Sequence, residues 1–285
     1  MRIILIGSNG QLGTDLARVL EKRAHDLHPI ANRKVDICQR EAVERLISSV
    51  RPDVVINTAA FHQVDRCEAN PEMAFAVNAV GVRNVAECCE KHKAVFVHFS
   101  TDYVFDGCKG APYTETDVPS PLNVYGVSKV AGEELVAYTT ERNFIVRTCG
   151  LFGLAGPSGK GLNFVENMLK RAKEGNPIRV VEDQILSPTY TLNLAERVCD
   201  LLQTNAYGLY HLSSEGECSW YEFAREIFQR AGVNADLNPC TTVEVQGTVR
   251  RPKRTTLDKA KYNALGLPKM PHWAEGLRRY LGSRA

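Results

Sequence analysis

An α/β fold is what this 285-residue chain predicts: a doubly wound parallel sheet in the first half and a smaller mixed α/β lobe after it. Three observations carry that expectation. Short apolar runs alternate with helical patterns from the first residue onward, the pattern of parallel strands covered on both faces. A glycine-punctuated turn, Gly7-Ser8-Asn9-Gly10-Gln11-Leu12-Gly13, joins the first strand to the first helix. Finally, Tyr125-x-x-x-Lys129 lies in a helical segment downstream of a strand that ends in Ser100-Thr101.

In chain order, residues 2–6 form the first predicted strand. The helix after the turn carries Leu12, Leu16, Val19 and Leu20 at helical spacing. Residues 25–30 are a second, weaker strand, and residues 53–57 a third, introduced by Arg51-Pro52. A long helix over about 71–92 leads to the fourth strand, 94–99. The helix bearing Tyr125 and Lys129 precedes the fifth, 143–147. Beyond it the alternation weakens. The segment 153–161 holds four glycines and a proline and reads as a loop. Helices over 192–202, 220–231 and 273–280 and a strand over 208–212 follow. Residues 1–150 are therefore expected to form a nucleotide-binding unit, with segments near 187–213 returning to it, and residues 151–285 mainly a substrate-binding lobe.

Hydrophobic residues at 44%, charged residues at 24% and a net charge of +2 describe an ordinary globular chain. They give no electrostatic case for nucleic acid or membrane as a partner. Nine cysteines occur without metal-type spacing, so free thiols in a reducing compartment are expected, and no metal. Met1 leads directly into a strand and no apolar stretch approaches membrane-spanning length. The expected location is cytoplasmic.

Glycines between a strand and a helix allow a tight turn and close approach of the backbone to a pyrophosphate at the helix N-terminus. The spacing here is G-x-x-G-x-x-G rather than G-x-G-x-x-G. The ordinary alternative is a plain strand-to-helix turn, but its flanks favour a Rossmann-type dinucleotide site through Gly7, Asn9, Gly10 and Gly13. After the second strand, Ile30-Ala31-Asn32-Arg33-Lys34 offers two cations and no acid. An acid there would bind a ribose 2′-hydroxyl, whereas cations suit a 2′-phosphate. The expected cofactor is NADPH, with Arg33 at the phosphate and NADH as the alternative; solvated loop charge is the competing reading. Asp36, followed by Ile37, can accept from an adenine amino group. The small residues of Asn57-Thr58-Ala59-Ala60 let a cofactor lie against the strand ends.

Tyr125 and Lys129, four residues apart, share one helix face. A nearby cation eases loss of the phenol proton, and such a pair can protonate a carbonyl under reduction. A hydroxyl at Thr101 can hydrogen-bond the same carbonyl, so Thr101, Tyr125 and Lys129 are the catalytic candidates.

With these residues the chain resembles the extended short-chain dehydrogenase/reductase superfamily, and within it the dTDP-4-dehydrorhamnose reductase family. The resemblance runs through the glycine turn, 57–60, Val64-Asp65 with Glu68, Asn78, 100–107 and 121–126. It continues through Arg147-Thr148, Asp183-Gln184, Ser187-Pro188-Thr189, 208–211 and Arg251-Pro252. It implies NADPH-dependent reduction of the C4 keto group of dTDP-4-dehydro-L-rhamnose to dTDP-L-rhamnose. Tyr125 would protonate the C4 oxygen, and Lys129 would bind the nicotinamide ribose and tune the phenol. Thr101 and Asp102 would touch the sugar. Gly10, Gln11, Leu12, Asp36, Ile37, Ala60, Phe61 and His62 would line the cofactor. Gly150 stands near the sugar site, where the family often carries a tryptophan. The partner expected is the dTDP-sugar, with a homodimer as an open alternative to the monomer.

Other conspicuous residues have plainer readings. His62, His98 and His211 read as packing or edge residues, and Glu133-Glu134 as a solvated helix face. Asp65 and Glu68 read as a structural cap. Arg250-Arg251-Pro252 reads either as a diphosphate site, to which Arg251 is assigned, or as surface charge. Two other functions compete. A sugar-nucleotide dehydratase or epimerase is disfavoured because Asp102-Tyr103 lacks the second acid and no acid follows the second strand. An NADP-binding regulatory subunit resembling the methionine adenosyltransferase beta subunit is the non-enzymatic alternative.

Overall fold

The first strand, Arg2–Ile6, is apolar at every buried position because both of its faces are covered. Ile3 and Leu5 enter one hydrophobic core, and Ile4 and Ile6 enter another on the opposite face. The computed structural model describes residues 1–31, 34–156, 161–245, 247 and 249–284. Among these, six strands form an all-parallel sheet: β1 (Arg2–Ile6), β2 (Asp26–Ile30), β3 (Val54–Asn57), β4 (Val95–Thr101), β5 (Asn143–Thr148) and β6 (Gly208–His211). Their spatial order is β6-β5-β4-β3-β1-β2. Pro29, which donates no backbone hydrogen bond, falls on the outermost strand, where the ladder tolerates it.

One core packs helices Gln11–Lys22, Thr191–Leu201, Trp220–Ala231 and Trp273–Gly282 against the sheet. The other packs Arg40–Val50 and Val82–His92. The predicted strands all form; β4 ends at Thr101, as the Ser100-Thr101 reading expects, and β5 runs further than expected, through Thr148. The expected return of the chain to the sheet occurs at β6, which pairs with β5 from Gly208↔Phe144 to His211↔Arg147. Three two-stranded pairs complete the second half: Leu151–Phe152 with Thr189–Tyr190, Ile178–Val181 with Leu237–Cys240, and Ile185–Leu186 with Cys218–Ser219.

One helix departs from expectation. The segment 71–92 is not a continuous α-helix: Pro71–Phe75 leads into a π-helical stretch, Ala76–Gly81, before Val82–His92 resumes. Such widened turns recur at functional sites, and this one carries the fully buried Asn78. No helix among the described residues is long and apolar enough to cross a membrane.

Candidate functional site

Because β2 lies to one side of β1 and β3 to the other, the strand order reverses at β1, and a crevice opens beyond the carboxyl ends of these strands. A cleft of about 950 Å³ occupies this place. One half is walled by the glycine turn, Asp36, Ile37 and residues 58–62, and the other by Gly150, Phe164, Gln184, Trp220 and Arg251. Tyr125, Lys129 and Thr101 lie at the junction.

The first half fits a dinucleotide. Gly7 has φ +79°, and its N–H donates to Ile30 O at 2.9 Å. A Cβ there would stand 2.5 Å from Thr58 Oγ1, and one at Gly13 would stand 2.1 Å from Gly7 O. Only glycine lets the strand, the turn and the helix approach this closely. The helix Gln11–Lys22 has no acidic residue in its first turn, so its amide dipoles meet the cleft uncompensated. Gln11 Oε1 and Asn57 Nδ2 are buried without a protein partner in this same wall; a polar ligand would satisfy such atoms.

At the junction, Thr101 is buried and ends β4. Its Oγ1 donates to Asp102 Oδ1 at 3.1 Å and accepts from the Tyr103 amide at 3.2 Å. Asp102 Oδ2 in turn accepts from Thr255 Oγ1 at 2.5 Å. Burial pushes the Asp102 carboxyl up to about 6, against the hydrogen bonds from Thr255 and Thr101 that favour its charged form. Tyr125 stands on the first turn of the helix Val124–Thr139, capped by Asn123 Oδ1 on the Gly126 amide at 2.9 Å. Glu68 Oε2 accepts from the Val124 amide at 3.1 Å, so the expected structural cap is real for Glu68. Burial raises the Tyr125 phenol well above its ordinary value; the hydrogen bond with Thr101 opposes this and the Asp102 charge adds to it. The phenol is therefore protonated at neutral pH.

Lys129 is 2% exposed. Its Nζ donates to Phe99 O at 2.6 Å and lies 3.2 Å from His98 Nε2. Burial lowers its pKa to about 8, with Glu133 acting in the opposite sense. The simple expectation that this cation depresses the phenol is thus corrected. The ammonium is engaged by the strand, and burial moves the phenol upward.

Asn78, placed by the π-helical turn, ties the cofactor wall to the helix of Tyr125. Its Oδ1 accepts from the Phe61 amide at 2.8 Å, while its Nδ2 donates to Phe61 O at 2.9 Å and to Ser128 Oγ at 3.0 Å. The helix approaches so closely that a Cβ at Gly132 would stand 2.2 Å from Asn78 O.

In the second half, Arg251 pairs with Asp65 at 3.2 Å across the mouth of the cleft. Arg250 is exposed and contributes its backbone carbonyl to Asn123 Nδ2. Of the two arginines, Arg251 alone lines the cleft. Gly150 has φ +56°, and a Cβ there would meet Leu186 Cδ1 at 2.7 Å. Trp220 caps this half, with its ring centroid 4.4 Å from that of Phe164.

The structure gathers Gly7, Gly10, Gln11, Leu12, Gly13, Asp36, Ile37, Ala59, Ala60, Phe61 and His62 on one wall. Asn9 is exposed on the turn and does not line the cleft. Arg33 lies outside the described residues, as do residues 157–160 of the glycine-rich loop. Glu133 is not solvated: it is buried and receives Arg147 through two bonds, Nε at 2.9 Å and Nη2 at 2.6 Å. Sequence reasoning missed Trp220 and Phe164, whose positions carry no local motif. It also missed the contact of His98 with Lys129; the signal available was a histidine in an otherwise apolar central strand.

A family model described as RmlD substrate binding domain matches residues 1–284. The chain is 38% identical over 284 residues to the spore coat polysaccharide biosynthesis protein SpsK of Bacillus subtilis, covering 100% of this chain and 98% of that one. It is 37% identical over 273 residues to the dTDP-4-dehydrorhamnose reductase of Aggregatibacter actinomycetemcomitans, 91% of each chain. The crystal structure of dTDP-4-dehydrorhamnose reductase from Bacillus anthracis, in complex with NADP, superimposes with a TM-score of 0.94 at 39% identity over 99% of both chains. With the glycine turn, the Thr101–Tyr125–Lys129 junction and the two-part cleft in one arrangement, the chain belongs to the RmlD substrate binding domain family, that of the dTDP-4-dehydrorhamnose reductases.

Proposed function

We propose that the protein reduces the C4 keto group of dTDP-4-dehydro-L-rhamnose with NADPH, giving dTDP-L-rhamnose. The observation that carries this is the junction itself: a protonated Tyr125, a buried Thr101 and a buried Lys129 meet between a dinucleotide-shaped wall and a second pocket lined by Arg251 and Trp220. NADPH, when bound, supplies the hydride that C4 receives. The residues to hold it are the glycine turn, Gln11, Leu12, Asp36, Ile37, residues 59–62 and Lys129, with Arg33 proposed at the 2′-phosphate. Tyr125 gives its hydroxyl proton to the C4 oxygen. Thr101 orients that hydroxyl, and Asp102 orients Thr101 through their 3.1 Å hydrogen bond. Lys129 holds positive charge beneath the junction, where the nicotinamide ribose would meet it. Arg251 is the guanidinium for the diphosphate and Gly150 borders the sugar.

The domain division follows the cleft: residues 1–150 with the returning strand Gly208–His211 hold the cofactor, and residues 151–285 mainly hold the sugar nucleotide. The odd count of nine cysteines supports a reducing, cytoplasmic setting. An intact junction favours chemistry over a purely regulatory NADP-binding role. The test is NADPH oxidation across a panel of 4-keto-6-deoxy sugar nucleotides, with NADH in parallel and light scattering to weigh a homodimer. No turnover of any dTDP-sugar would refute the reading, and a preference for NADH would refute the cofactor assignment.

A further inference from the structure

His98 sits in mid-β4 with no exposed surface, stacked on Phe96 at a centroid distance of 6.1 Å. Its Nε2 stands 3.2 Å from Lys129 Nζ, which also donates to Phe99 O at 2.6 Å. The same helix lies close to the π-helical turn, since a Cβ at Gly132 would stand 2.2 Å from Asn78 O, and it reaches His98 through Lys129.

The chemistry of the ring follows from its neighbour. An ammonium is a donor only, so Nε2 must be the unprotonated acceptor and the hydrogen must sit on Nδ1. Burial and the Lys129 charge hold the imidazole pKa well below its ordinary value, which keeps the ring neutral and Nε2 available. Nδ1 is buried with no hydrogen-bond partner. A side chain present only to fill space would not leave a polar hydrogen stranded in a core. The stranded Nδ1 and the engaged Nε2 together indicate that the acceptor is what the site requires.

The other ionisable groups around Lys129 do not replace that acceptor. Glu133, one turn along the same helix, is committed to Arg147 of β5. Tyr125, one turn the other way, is protonated, and Asp102 is engaged by Thr101 and Thr255. On the π-helical side the neighbours are Asn78 and Ser128, which bond each other.

We infer that His98 is a positioning residue for Lys129: its Nε2 and the Phe99 carbonyl hold the lysine ammonium in place beneath the cleft, with a third N–H left for the ligand side. This deepens the proposed reductase reading and rests on it for the catalytic consequence. The positioning itself is tested apart from turnover.

The test compares wild type with His98→Gln, which keeps a neutral acceptor, and His98→Leu, which keeps bulk without one. NADP⁺ affinity by calorimetry and kcat/KM with NADPH and the sugar nucleotide are each followed from about pH 6 to about pH 10. In His98→Leu the alkaline limb of both profiles should move down by about one pH unit, roughly a fivefold loss at pH 8, because a buried ammonium left with the Phe99 carbonyl alone deprotonates sooner. His98→Gln should restore the limb to within about a third of a unit of wild type. If the leucine variant does not fold, His98→Met supplies the same loss of a strong acceptor on a flexible side chain. Alkaline limbs that coincide in all folded variants overturn the inference, as does a uniform loss at every pH with the limb unmoved. A wild type that turns over no dTDP-sugar refutes the proposed reaction, and the NADP⁺ titration then still judges His98.

Discussion

Replacing Tyr125 by phenylalanine removes one oxygen, and the surroundings of that oxygen determine what else changes. Its protein partner is Thr101, which keeps the Asp102 carboxylate and the Tyr103 amide in the variant. The stability loss should be that of one hydrogen bond, about 1 kcal/mol. Lys129 is held by Phe99 O and His98 rather than by the phenol, so NADPH affinity should stay within about twofold, well under 1 kcal/mol. Turnover should behave differently. Burial keeps the phenol protonated at neutral pH, and the 6.1 Å edge contact with Tyr103 fixes its ring. Loss of a positioned general acid is worth about two to four orders of magnitude, or about 3–5 kcal/mol of barrier. The assay is steady-state NADPH oxidation with dTDP-4-dehydro-L-rhamnose, alongside a fluorescence titration of NADPH and a thermal melt. Turnover within tenfold of wild type would refute the assignment. A loss matched by an equal loss of NADPH affinity would show instead that Tyr125 is a binding residue.

Three further variants probe the supporting structure. Glu133→Ala strands the buried Arg147 guanidinium and should cost about 3–5 kcal/mol, read as a fall in denaturation midpoint; an unchanged midpoint would mean the pair is solvated after all. Asp102 titrates near 6 when folded, above its ordinary 3.8, so the charged carboxylate destabilises the fold increasingly as pH rises from about 4 to 6 and at a constant level above. Asp102→Asn should therefore gain stability relative to wild type over that window, by up to about 3 kcal/mol, while turnover falls as the carboxylate that accepts from Thr101 gives way to a neutral amide. A pH-independent stability difference in urea melts would contradict this. Arg251→Ala breaks an exposed pair with Asp65 and should barely alter stability. It should raise the KM for the sugar nucleotide by about tenfold or more and leave NADPH affinity unchanged; normal calorimetric binding of the sugar nucleotide would place the diphosphate elsewhere.

Much of the site was legible because it is local. The glycine turn spans seven residues, and its need for Gly7 and Gly13 comes from steric contacts within a strand, a turn and a helix. Tyr125 and Lys129 are one helical turn apart, and Thr101 ends its own strand. Short continuous apolar runs and period-3.6 patterns marked the parallel sheet and its helices for the same reason: each reports which faces of one element are covered. The two-sided cores confirm that reading through the alternation of Ile3 and Leu5 with Ile4 and Ile6.

What tertiary structure alone decided are the partners brought together from afar. Glu133 looks like half of an acidic surface pair until β5 delivers Arg147 to it. Asn78 shows no role until a π-helical turn aims it at Phe61 and Ser128. Trp220 reaches the cleft only because the second half folds back over the first. His98 reads as packing until the neighbouring helix brings Lys129 Nζ within 3.2 Å of its ring. Charge state follows the same rule. The sequence places a lysine beside a tyrosine, but burial sets their pKa values, raising the phenol and lowering the ammonium. Burial is a property of the packed chain, since desolvation depends on every element that covers a group and not on its neighbours in sequence.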